Sequence, residues 1–119
     1  MVTVCELIER KRVEDIIEAV CILKQKGYDL KTCIVGDGPL FNSLKQLAME
    51  RGLNGNVTFT GYTKDVLSYL RKSKIYVQSS RQEGLSISLI EAMAVGLVPV
   101  STKAGSEEDI ITHGQNGFW

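Results

Sequence analysis

Two carboxylates stand out because of the residues around them. Glu83 and Glu91 lie in Ser79-Ser-Arg-Gln-Glu-Gly-Leu-Ser-Ile-Ser-Leu-Ile-Glu-Ala-Met-Ala94, and Glu91 is the sole charge in the run from Ile87 to Val100. So apolar a run predicts a helix buried on most sides, ending at Gly96. A carboxylate buried there without a partner costs several kcal/mol, so Glu91 needs a cation, backbone donors, or a ligand whose hydroxyls it accepts. The plain alternative is a capping box, Ser88-x-x-Glu91, at the helix start. A cap at Ser88 would leave a very short helix, which places the start near Ser86 instead. Glu83 comes eight residues before Glu91 and projects about 80° away from it, so it is assigned to the loop ahead of the helix. The backbone N–H groups of Gly84, Leu85, Ser86 and Ile87 then sit at the positive end of the helix dipole, unpaired, where a phosphate or sugar oxygen fits. Two acceptor carboxylates beside such a start suit a ligand with both hydroxyls and phosphate, and a nucleotide sugar has both.

The other candidates carry less. Gly36-Asp-Gly38 follows a predicted strand, but the third glycine of a dinucleotide fingerprint would fall at position 41, where Phe41 stands. The glycines then serve a sharp strand-to-helix turn, with Pro39 at the first helical position and Asp37 as a cap. Cys5, Cys21 and Cys33 are odd in number, far apart and set in apolar runs, so they read as buried, reduced thiols. His113 is the only histidine and reads as a helix-end or loop residue, so no metal site is expected.

What must position these residues is an alternation of strand and helix. Strands are predicted at Val2 to Val4, Leu30 to Val35, Val57 to Thr60, Ile75 to Gln78 and Pro99 to Ser101. Helices are predicted from Val13 to Gly27, from Pro39 to Gly52, from Asp65 to about Lys72, from Ser86 to Val95 and from about Glu107 to Thr112. Phe118-Trp119 looks like the start of a sixth strand. Such an alternation requires crossovers and a parallel sheet covered on both faces, a doubly wound α/β domain. Ligands of such sheets bind beyond the carboxyl ends of the strands, at loops 6–11, 36–39, 61–64, 79–86 and 102–106.

With 119 residues, 44% of them apolar and 24% charged, the chain is expected to form one globular domain. Fourteen basic residues balance fourteen acidic ones, so there is no cationic field for nucleic acid or anionic lipid. No apolar run approaches the roughly twenty residues of a membrane span, and Glu6 falls where a signal peptide would have its apolar core. An intracellular protein is expected.

The Glu83/Glu91 pair, Gly96-Leu-Val-Pro-Val100 and Gly114-Gln-Asn-Gly117 resemble the C-terminal donor domain of the group-one family of retaining glycosyltransferases. Glu6 to Lys11, Val35-Gly-Asp-Gly-Pro39 and Val57-Thr-Phe-Thr-Gly61 fall in the family's order and spacing, so the likeness covers almost the whole chain. It implies a Rossmann-like fold and one of two facing domains, residues 1–119 being a fragment without the N-terminal acceptor domain and the C-terminal end. It further implies that Glu83 contacts the donor sugar and Glu91 the ribose. Gly84, Leu85, Ser86 and Ile87 would meet sugar and diphosphate, Gly61, Tyr62 and Thr63 would lie beside the base, and Lys11 would neutralise the diphosphate. Lys11 and Glu83 are thus the expected catalytic residues, with a nucleotide diphosphate sugar as substrate and neither cofactor nor metal. The whole protein would serve polysaccharide biosynthesis in the cytoplasm, touching a membrane only through the absent domain. Where the family usually has an arginine five residues before the lysine, this chain has Glu6. Either Arg10 or Arg12 takes over, or the leaving group is less stabilised. Two other readings stay open: a non-catalytic nucleotide-sugar-binding or partner module of the same fold, and a dinucleotide-dependent oxidoreductase. The missing third glycine disfavours the second.

Overall fold

The computed structural model describes residues 1–119. Five strands, β1 (Val2–Val4), β2 (Thr32–Val35), β3 (Val57–Gly61), β4 (Ile75–Gln78) and β5 (Val98–Ser101), form one parallel sheet in the order β3-β2-β1-β4-β5. Four helices connect them, α1 (Val13–Gln25), α2 (Phe41–Glu50), α3 (Val66–Arg71) and α4 (Ile87–Ala94), and α5 (Glu107–Ile110) follows β5. The expected doubly wound α/β architecture is what the chain adopts.

The apolar periodicity explains the two layers. Val13, Ile16, Ile17 and Val20 of α1 meet Leu44 and Ala48 of α2 over Ile34 and Val57 on one face of the sheet. Leu70 of α3, Leu89 and Ala92 of α4 and Ile111 pack over Val2, Val35 and Tyr76 on the other. Strand order reverses between β1 and β4, so the loops after these two strands flank the crevice where ligands of such sheets bind.

Three local expectations need correction. Pro39 precedes α2 rather than opening it, since Leu40 is the residue at the cap position. Asp37 does not cap the helix either, because its carboxylate turns back onto the N–H of Gly38 at 2.7 Å. The glycines here serve a close approach: a Cβ on Gly36 would lie 1.9 Å from the Cys5 carbonyl oxygen, and one on Gly38 2.6 Å from that of Leu7. The third concerns Trp119, expected within a sixth strand, which lies outside any regular strand. Its indole N–H donates to Ile111 O at 3.0 Å, and the ring packs half-buried under the Lys103 ammonium, 3.6 Å from its centroid. Phe118 is 48% exposed and extends the sheet by one parallel bridge to Val100.

Candidate active site

The loop after β1 carries a short 3-10 turn, Glu9–Lys11, which ends at Arg12 in the left-handed conformation, φ 52°. That reversal separates the two flanking cations. Arg12 is drawn onto Glu14 and Asp15 of α1, both at 3.0 Å, whereas Arg10 faces the loop after β4 and donates to Gln82 O at 3.1 Å. Of the two candidates for the missing arginine, Arg10 is the one on the site. Lys11 reaches across the crevice and forms an ion pair with Glu83.

Glu83 lies on the loop, as expected, and is nearly enclosed, its side chain 9% exposed. Burial pushes its carboxyl up, but Lys11, the Ser80 hydroxyl at 2.6 Å and Arg10 at 3.9 Å outweigh this and hold it below the usual carboxylate value. Backbone bonds fix the loop itself. Arg81 N donates to Arg10 O, Ser79 Oγ to Lys11 O and Glu83 N to Ala104 O, all within 2.8 Å.

Ser86, not Ser88, caps α4: its Oγ accepts from Leu89 N at 3.3 Å, so the capping-box alternative with Glu91 is not formed. The N–H groups of Gly84, Leu85, Ser86 and Ile87 take no protein acceptor. Glu91 is the main departure from expectation. It is exposed, with no salt bridge or hydrogen bond from its side chain, because α4 buries Leu89 and Ala92 while leaving Ile87 65% and Ile90 39% exposed. The run is apolar all round, yet the helix is covered on one side only. Burial therefore says nothing for a ligand at Glu91.

Beside β1 and β2 a cleft of about 340 Å³ is lined by Glu6, Asp37, Tyr62, Thr63 and Val66. Tyr62 is 75% exposed at its rim, and Gly61 turns the chain there with φ 73°. Glu6 is exposed and meets no cation. A larger cleft, about 520 Å³, opens at the opposite, amino edge among Lys31, Lys72 and Lys74 and contains none of the expected donor-site residues. We place the site by the chemistry of the side chains, at the carboxyl edge.

His113 is an exposed loop residue whose Nδ1 accepts from Trp119 N at 3.1 Å. The three cysteines are unpaired and half-buried. Burial pushes the Cys5 thiol up to about 11, which favours the protonated form at neutral pH.

The sequence did not single out Glu107 or Gln78. Glu107 is fully buried behind the site, bonded to Gln78 Nε2 at 2.7 Å. In Ser106-Glu-Glu-Asp109 it looks like one of three dipole-favoured acids in a first turn, and its partner is 29 residues away. A polar Gln78 ending an apolar strand was the one available hint.

The family model "Glycosyl transferases group 1" matches residues 1–119. The chain is 32% identical over 108 residues to N-acetyl-alpha-D-glucosaminyl L-malate synthase of Bacillus anthracis, a match over 91% of this chain and 28% of that protein. Among solved structures, a variant of S. aureus TarM in complex with UDP is similar with a TM-score of 0.89 and 27% identity, over 98% of this chain and 24% of that one. Anabaena HepE in complex with UDP-glucose is similar with a TM-score of 0.85 and 27% identity, over 98% and 34%. The chain thus spans about a third or less of the length of these relatives. With a strand order that reverses between Lys11 and Glu83, and with the family model matched from end to end, this chain belongs to the group 1 glycosyl transferases.

Proposed function

We propose that the chain binds a nucleoside diphosphate sugar at the carboxyl edge of its sheet and is the donor half of a retaining glycosyltransferase. The observation that carries this is the Lys11–Glu83 pair lying beside the free amides of residues 84–87 at the switch point. Lys11, Arg10 and those amides take the diphosphate and stabilise the charge that develops as it departs. Ligand binding exchanges the resting ion pair for one new ion pair and one set of hydrogen bonds: the ammonium turns to phosphate, and the Glu83 carboxylate accepts from sugar hydroxyls. Glu91 accepts from the ribose hydroxyls, and the turn at Gly61, Tyr62 and Thr63 borders the base. These cations and dipoles supply the charge stabilisation without a metal or cofactor.

Uridine is the base favoured by the UDP complexes among the similar structures. An acceptor-binding N-terminal domain completes the enzyme in the cytoplasm, so the isolated chain binds donor and transfers no sugar. Calorimetric titration with UDP-, GDP- and ADP-glucose and with NAD⁺ tests the reading, and the anomeric configuration of the product tests retention. Binding of NAD⁺ alone, or of none of the four at millimolar concentration, would refute it. A non-catalytic binding module is favoured by one observation, the unpaired Glu6 beside the expected diphosphate. Absence of transfer by the whole protein despite tight donor binding would establish that reading.

A further inference from the structure

Glu107 is the one charged side chain sealed inside the domain, 1% exposed. All three of its contacts donate to it: Gln78 Nε2 at 2.7 Å to Oε1, and the N–H groups of Ala104 at 3.1 Å and Gly105 at 2.6 Å to Oε2. A carboxylate only accepts, so it dictates which end of the Gln78 amide faces it. Gln78 Oε1 is thereby turned to Ser86, whose hydroxyl donates to it at 2.6 Å and is left to accept from Leu89 N and cap α4. The direction of each bond in this relay follows from one buried charge.

A second arm leaves the same carboxylate. The loop it holds at Ala104 and Gly105 carries the carbonyl that accepts from Glu83 N at 2.8 Å, and the neighbouring Ser106 hydroxyl donates to Gly84 O at 3.0 Å. Both arms end on residues 83–89.

We infer that Glu107 is a positioning residue for the nucleoside diphosphate site: from behind, it sets the start of α4 through Gln78 and Ser86, and the Glu83 loop through Ala104 and Gly105. The inference rests on the donor-binding reading of that loop. Glu107 touches no ligand; it fixes the angle at which the amides and Glu83 meet one.

The test is calorimetric titration with UDP, beside thermal melting, on the intact protein. In Glu107→Gln the new amide confronts that of Gln78, which must turn over, and the Ser86 hydroxyl loses its acceptor. Combining Glu107→Gln with Gln78→Glu moves the carboxylate one place along the relay. It then accepts from Ser86 at position 78, while the amide oxygen at position 107 takes the Ala104 and Gly105 N–H groups. We expect Glu107→Gln to weaken UDP binding by about tenfold or more and the exchanged pair to return it to within roughly threefold of wild type. Wild-type affinity in Glu107→Gln overturns the inference, as does an exchanged pair that recovers melting temperature but not affinity. If Glu107→Gln does not fold, the exchanged pair decides alone. Failure of both to fold also overturns the inference, because the carboxylate then serves the core and not the site. Absence of UDP binding by the wild type would instead remove the donor reading itself.

Discussion

Gly105→Ala should damage the donor site without altering any group that meets the donor. A Cβ at this position would lie 2.0 Å from Glu83 O, 2.8 Å from its carbonyl carbon and 3.2 Å from Gly84 O. Ordinary contact begins at 3.4 Å, so the two loops must separate by about 1.4 Å. Backbone atoms cannot swing aside as a side chain can, and the separation also stretches the 2.8 Å bond from Glu83 N to Ala104 O. Overpacking of this kind costs about 1–3 kcal/mol, or about 4–12 °C in melting temperature for a domain of this size. Displacing an orienting group by about 1 Å costs up to 10²-fold in a preorganised site. UDP-glucose affinity, measured by calorimetry well below the melting temperature, should therefore fall by roughly tenfold to a hundredfold. Gly55→Ala is the control, because a Cβ there meets nothing within 4 Å, and it should change neither quantity appreciably. A Gly105→Ala protein that melts lower but binds UDP-glucose like wild type would refute the reasoning: the loop's position would then not reach the site.

Glu91→Ala should weaken UDP binding by about tenfold, the loss of a charged hydrogen bond, with no drop in melting temperature, since the side chain is exposed and unpartnered; a large thermal loss with unchanged affinity would exclude the ribose role. Glu6→Arg should tighten UDP binding by roughly tenfold at low ionic strength and by less as salt rises, if Glu6 faces the diphosphate; titration at two salt concentrations decides. Glu83 has a folded-state pKa held below its ordinary value. Its ion pair therefore contributes stability that is fully present above the unfolded value of about 4.3 and is lost as pH falls through the lowered one. The melting-temperature advantage of wild type over Glu83→Gln should shrink below about pH 4 and stay constant between pH 6 and 8.

The alternation of strand and helix was legible because each element carries its own period: Val13, Ile16, Ile17 and Val20 repeat at helical spacing, and Thr32–Val35 form a short run bounded by turn residues. Glu83 could be placed on a loop because angular arithmetic along a helix is local. Burial of α4 could not be read in the same way. Leu89 and Ile90 are alike in hydropathy, and only the direction in which the helix lies on the sheet makes one core and the other surface. Glu91 was misjudged with them. Glu107 was invisible for a related reason: what distinguishes it from Glu108 is a glutamine 29 residues away, and a long-range pairing leaves no local pattern.

The register between β1 and β4 is a single Cα pair, Val2 with Tyr76, so the sheet itself hardly joins its two halves at the crevice. The loops above compensate. Arg10 and Lys11 are tied to Ser79, Arg81, Gln82 and Glu83 by backbone and side-chain bonds, and Tyr76 Oη donates to Val4 O at 3.2 Å beneath them. The two halves of the crevice are thus joined above the sheet by their loops rather than within it by their strands.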